Sequence, residues 1–167
     1  EDFQRLRDIA AHVPYEHIYV LSNTQKYGGG GIYNFYGISA AHHPTSTGKI
    51  YVHEFGHVLL GLGDEYVGTT SYNDMYPKNI EPWEENLTTL KGFDCKDWKK
   101  LVDPSTPIPT PDTEAYSNTV GVFEGGGYVN KGIYRPARTC LMKEFSTDRF
   151  CPICTQAIRK HIERLCR

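Results

Sequence analysis

Apolar residues recur at helical spacing where the chain begins: Phe3, Leu6, Ile9, Ala10 and Val13 predict an opening helix. Residues 17–22 then read as a strand, from their β-branched and aromatic content. Residues 27–36 predict a second strand of unusual make-up, because the four glycines 28–31 precede Ile32, Tyr33, Asn34 and Phe35. Glycine weakens an ordinary strand and marks a bulge or a close backbone approach. Two readings stand: an edge strand that pairs with an extended peptide by β-augmentation, or a surface loop. From Ile50 the pattern turns helical again. Ile50, Tyr51, Val52, Phe55, Val58, Leu59 and Leu60 interleave with polar residues and predict a mostly buried helix, ended by Gly61 and Gly63. Residues 69–77 are polar and turn-rich, and residues 103–111, with four prolines in nine, resist regular structure. Residues 151–167 place Ile153, Ala157, Ile158, His161, Ile162 and Leu165 on one helical face and charges on the other, a closing helix. There are no repeats. The fold class is α+β, a mixed sheet flanked by a few helices.

At 167 residues the chain is expected to form a single domain with a substantial core. A net charge of −2 with no Lys/Arg-rich run argues against a nucleic-acid partner. No apolar stretch approaches the length of a membrane span. Residue 1 is Glu rather than Met, and no signal peptide is visible, so a processed protein or a domain excised from a longer exported one is expected. A monomer is expected.

The predicted buried helix carries His53-Glu54-Phe55-Gly56-His57, a His-Glu-x-x-His motif. Two imidazoles four residues apart share one helix face and can grip a single Zn²⁺, while the Glu beside the first His points at the water on the metal. Catalytic zinc sites take three protein ligands and leave one position open. The elongated motif places its third ligand three residues after a turning Gly. Gly61-Leu62-Gly63-Asp64 keeps that spacing, with one extra residue after His57 and a carboxylate in place of a His. Glu65 is the neighbouring rival for this position, and Glu81, Glu84 and Glu85 are more distant ones. The bland alternative makes His53 and His57 core histidines and Asp64 a turn residue. Burial of the helix weighs against it, since a Glu is seldom buried without a partner or a task.

Zinc proteases of the extended-motif class carry a Met-containing turn downstream of the helix. Met142, in Thr139-Cys140-Leu141-Met142, lies between the motif and the closing helix and fits that turn better than the role of an apolar gap-filler. His-Glu-Phe-Gly-His followed by Gly-Leu-Gly-Asp-Glu-Tyr resembles the bacterial IgA-peptidase family of zinc metallopeptidases, within the metzincin group. Similar stretches lie upstream, at 18–23 and 27–31, and downstream, at Gly127-Tyr128, 132–136, 140–142 and 150–154. The resemblance implies a metzincin-like zincin: a mixed twisted sheet, an active-site helix, a Met-turn at Met142 and a C-terminal helix. It also implies one catalytic Zn²⁺ on His53, His57 and Asp64, with Glu54 as general base in an endopeptidase. The family name records cleavage of immunoglobulin A, and that substrate is not carried over. A protein substrate bound in extended form is expected instead.

Tyr66, Tyr134 and Arg138 are candidates for steadying the oxyanion or the substrate, though a structural role suits each better. Some related enzymes place a metal-assisting Tyr two residues after the Met, where this chain has Glu144. A zinc-containing binding or adhesion module without catalysis is the alternative function, and the intact Glu54 speaks against it. The five cysteines, Cys95, Cys140, Cys151, Cys154 and Cys166, open further readings. Cys151-Pro152-Ile153-Cys154 fits half a structural zinc site, completed by Cys140 with Cys95 or Cys166, or a redox pair. One or two disulfides tying the Met142 region to the closing helix are favoured, in a secreted, periplasmic or cell-surface protein. Asn86-Leu87-Thr88 is a formal glycosylation acceptor of little weight.

Overall fold

The structure, a computed structural model, describes residues 2–40, 46–68, 76–77 and 80–167. Most of the turn-rich stretch expected at 69–77 lies outside the described residues. The chain divides into two compact units, Glu1–Leu59 and Leu60–Arg167.

The first unit opens with α1 (Asp2–Ala10), as the periodicity predicts. Its apolar face stays largely open, however: Phe3 and Ile9 are exposed, and the Phe3 ring meets those of Phe35 and Tyr36. Three strands follow, β1 (Ile18–Ser22), β2 (Gly29–Ile32) and β3 (Tyr36–Ala40). They form a mixed sheet in the order β1-β3-β2, with β1 parallel and β2 antiparallel to the central β3. The stretch expected as one strand over 27–36 is thus a hairpin. Asn34 takes a left-handed conformation (φ 57°), and the Phe35 N–H donates to the Ile32 carbonyl, which turns the chain. Asn is among the few residues that tolerate this geometry.

Helix α2 (Thr47–Leu60) carries the His-Glu-x-x-His segment, with Ile50, His53, Glu54, Gly56, Val58 and Leu59 buried. It ends where Gly61 adopts φ 60°, the left-handed residue that closes many helices. Strand β2 packs directly on α2. A Cβ on Gly29 would stand 2.5 Å from Glu54 Oε1, and one on Gly31 only 2.6 Å from the Glu54 carbonyl oxygen and 2.8 Å from His57 Cβ. Gly30 points the other way and has room. The glycine run therefore lets an edge strand lie against the motif's helix with no side chains between.

In the second unit β4 (Phe123–Gly126) and β5 (Val129–Arg135) pair antiparallel, joined by a two-residue turn at Gly127 and Tyr128. Both turn residues have positive φ, 57° and 65°, the type I′ pattern that suits the twist of a hairpin. Helix α3 (Pro152–Leu165) is the expected closing helix, started by Pro152 and capped by Cys151, whose side chain accepts from the Cys154 N–H. Only its first turn is deeply buried, through Ile153 and Cys154, while Ile162 and Leu165 are exposed. Ile153 and Cys154 join Leu62, Phe93, Trp98, Val122, Cys140 and Met142 in the unit's main core. The proline-rich stretch 103–111 is irregular, with a cis Ile108–Pro109 bond. Among the described residues no helix is long and apolar enough to cross a membrane.

Candidate metal centre

Helical geometry puts residues four apart on one face, and α2 does this with its two imidazoles. The Nε2 atoms of His53 and His57 stand 3.2 Å apart, with the rings edge to face. Two nitrogens bound at about 2.0–2.1 Å to a tetrahedral zinc lie roughly 3.3–3.4 Å from each other, so the pair is already spaced for one ion. His53 is buried and His57 half-buried. Glu54, also buried, extends its carboxylate along the backbone of β2 beside Gly29. On the opposite strand, burial pushes the Tyr19 phenol up to about 12, and the Glu54 charge adds to it.

Asp64 lies four residues beyond the end of α2 and is buried. Its carboxylate accepts from the Tyr128 hydroxyl, while its carbonyl accepts the Gly127 N–H at 2.7 Å. The Tyr128 N–H in turn donates to the Tyr66 carbonyl at 3.0 Å. The β4–β5 turn thus grips the 64–68 segment from both backbone and side chain. Burial, and then the Asp64 charge, push the Tyr128 phenol well above its ordinary range, so it stays a donor. Tyr128 escapes a reading by motif. Its signal in the sequence is the Gly125-Gly126-Gly127 run before an alternating strand, which predicts a turn and says nothing of Asp64. His53, His57 and Asp64 each offer a ligand atom of the kind zinc takes.

Glu65, the neighbouring rival, is turned to a different task. It is fully buried, its Oε1 accepts from Asn86 Nδ2 at 2.9 Å, and the thiols of Cys151 and Cys154 lie 3.9 and 3.2 Å away. Asn86 also clamps Gly63 through both its backbone groups, each at 2.8 Å. A fully buried Asn86 cannot serve as a glycosylation acceptor in the folded chain. Two of the distant carboxylates, Glu81 and Glu84, are engaged elsewhere, and the segment that carries all three is not helical. Glu81 accepts from Thr88 and Thr89, Glu84 accepts from Tyr76, and Glu85 is exposed.

The oxyanion candidates have structural partners. Tyr66 donates to Tyr128, Tyr134 reaches Glu124 at 3.4 Å, and Arg138 binds Asp112 and Glu114. Glu144 pairs with Lys143. Met142 is fully buried in a turn, and its carbonyl accepts the Glu65 N–H at 2.8 Å. The expected disulfides do not form: all five cysteines are free thiols, Cys95 and Cys166 on the surface and the other three buried.

The family model described as IgA Peptidase M64 matches residues 2–119 and 112–162 of the chain. No curated protein matches it.

Proposed function

The chain belongs to the IgA peptidase M64 family, and on that premise we propose that it is a zinc-dependent endopeptidase, hydrolysing peptide bonds of protein substrates with Glu54 as general base. The observation that carries this reading is the imidazole pair, 3.2 Å between Nε2 atoms, on the same buried helix as Glu54. His53 and His57 would hold the ion, and Asp64 would supply the third ligand. Asp64 is preferred to Glu65 because the Glu65 side chain is already engaged by Asn86 and lies among thiols. Tyr128 would position Asp64, and the turn around Met142 would be the Met-turn of the family.

Zinc, when bound, supplies a Lewis acid that acidifies water and polarises the scissile carbonyl. Glu54 takes the proton from the attacking water and returns it to the leaving amine, general acid–base work that contributes about 10²–10⁴-fold. Burial beside the glycine backbone of β2 holds its carboxylate in one place. Strand β2 lies at the sheet edge, so a substrate in extended form can add to it as a further strand.

The test combines zinc content with proteolysis of a denatured protein. Native and Glu54→Ala chains should bind equal zinc, with cleavage reduced by at least about 10²-fold in the variant. His53→Ala with His57→Ala should bind one zinc fewer per chain. Unchanged zinc in the double variant, or native-like cleavage by Glu54→Ala, would overturn the reading. Zinc bound with no cleavage by the native chain would favour the non-catalytic binding module.

A further inference from the structure

Away from the histidine pair, four side chains with metal-ligating atoms converge in the second unit: Glu65, Cys140, Cys151 and Cys154. All four are buried, and their ligand atoms lie within 4.8 Å of one another. We propose that these residues form a second, structural Zn²⁺ site with three thiolates and one carboxylate. Nothing in the endopeptidase reading requires it, and it stands or falls on separate residues.

The spacing carries the inference first. Two sulfurs bound at about 2.3 Å to a tetrahedral zinc lie roughly 3.8 Å apart, and a sulfur and a carboxylate oxygen about 3.5 Å. Here Cys140 Sγ and Cys154 Sγ stand 3.8 Å apart, and Glu65 Oε1 lies 3.2 Å from Cys154 Sγ and 3.9 Å from Cys151 Sγ. A disulfide needs about 2.05 Å between sulfurs, so the cluster is spread for an ion and not for a bond.

The surroundings carry it second. Backbone N–H groups of Cys151 and Met142 point at Cys140 Sγ, at 3.2 and 3.5 Å, and the Cys154 N–H points at Cys151 Sγ at 3.5 Å. Such donors offset the charge of thiolates and fix their orientation. Asn86 does the same for Glu65 Oε1, while Glu65 Oε2 is buried with no hydrogen-bond partner among the described residues. A buried carboxylate left in that state is costly. A cation at the centre of the cluster removes the cost.

Soft thiolates select zinc over hard cations, and four protein ligands leave no open position, which makes the site structural and not catalytic. Binding displaces the thiol protons to solvent. The exposed Cys95 and Cys166 take no part, so Glu65 fills the place that a fourth cysteine would have held. The ion would join the residue after Asp64, the residue two before Met142 and the first turn of α3.

Cobalt reconstitution of the native chain, free of chelators, tests this directly. A thiolate-to-cobalt charge-transfer band is expected, retained in His53→Ala with His57→Ala and lost in Cys140→Ser with Cys151→Ser. Thiol titration of the folded, metal-loaded native chain should reach Cys95 and Cys166 alone. That titration needs no variant and stays informative should the serine variant fail to fold. Absence of the band from the native chain, its survival in the serine variant, or a mass two hydrogens short without reductant would each overturn the second site. The last result would show a disulfide instead. Loss of the histidine-dependent ion alone would sink the endopeptidase reading and leave this site intact.

Discussion

The histidine pair of α2 and the thiol cluster around Glu65 draw on similar physics but are assembled in opposite ways. The pair comes from one helical turn and exposes one of its imidazoles in part, as a site that must admit substrate requires. The cluster collects ligands from three separated stretches, buries all four, and surrounds them with backbone donors. Local geometry can make an open site. A closed one takes tertiary packing, so its presence reports on the fold more than on the chemistry.

The sharpest way to break this contrast is to remove a thiol. Cys154→Ala deletes a ligand with no solvent exposure, and loss of a structural metal is among the few causes of a destabilisation above about 4 kcal/mol. Denaturant unfolding measures it. A loss below about 1 kcal/mol would mean that the cluster binds nothing and merely packs.

On the side of the open site, Tyr128→Phe removes the hydroxyl that the Asp64 carboxylate accepts, while keeping the ring. Partners of metal ligands are worth about 10–100-fold in affinity. Competition with a chelator should therefore show zinc held that much more weakly, with the thiolate–cobalt band unmoved. Equal zinc affinity would mean that Tyr128 positions nothing of consequence.

Strand β2 offers a smaller test of how α2 is supported. Gly31→Ala forces a methyl group onto the Glu54 carbonyl and His57 Cβ, and overpacking of this kind costs about 1–3 kcal/mol. Gly30→Ala meets nothing closer than Ile38 Cγ2 at 3.8 Å and should change stability by less than about 0.5 kcal/mol. Equal effects in thermal unfolding would refute the close approach of β2 to the helix.

The smallest effect concerns pH. Burial works to raise the Asp112 carboxyl, but Arg138 and Arg135 outweigh it and hold the group below its ordinary range. A carboxylate depressed in the folded state stabilises above its unfolded pKa, and that contribution fades as pH falls through the lowered folded value. Asp112→Asn should accordingly lower stability slightly at neutral pH and flatten the acid limb of a stability–pH curve. An unchanged acid limb would show that Arg135, itself buried, is held by the Glu124 and Gly125 carbonyls alone.

Much of the first unit was legible in the sequence. The helical periodicity around Ile50, the ending glycines and the i, i+4 histidines are local patterns, and local geometry fulfils them without help from the rest of the chain. The glycine run left a bulge, a close backbone approach and a surface loop all open, and gave no sign that a hairpin would split the predicted strand at Asn34. Apolar periodicity over α1 and α3 predicted helices correctly, but a repeat shows which residues share a face and not what covers it, and Phe3, Ile9, Ile162 and Leu165 are exposed.

What only the tertiary structure decided lies where distant residues meet. On paper Asp64 leads on spacing alone, with Glu65 as its neighbouring rival. The fold separates them by pointing one at Tyr128 and the other at Asn86 and the thiols. The Cys151-x-x-Cys154 pair looked like half of something, and its completion by Cys140 and a carboxylate some 89 residues away follows no spacing rule. By itself the sequence determined the motif helix, because a hydrogen-bonded helix turns i and i+4 to one side wherever it forms. It could not determine the partners of Asp64 and Glu65, because those depend on how a hairpin, a turn and the start of α3 pack, which no single stretch of the chain encodes.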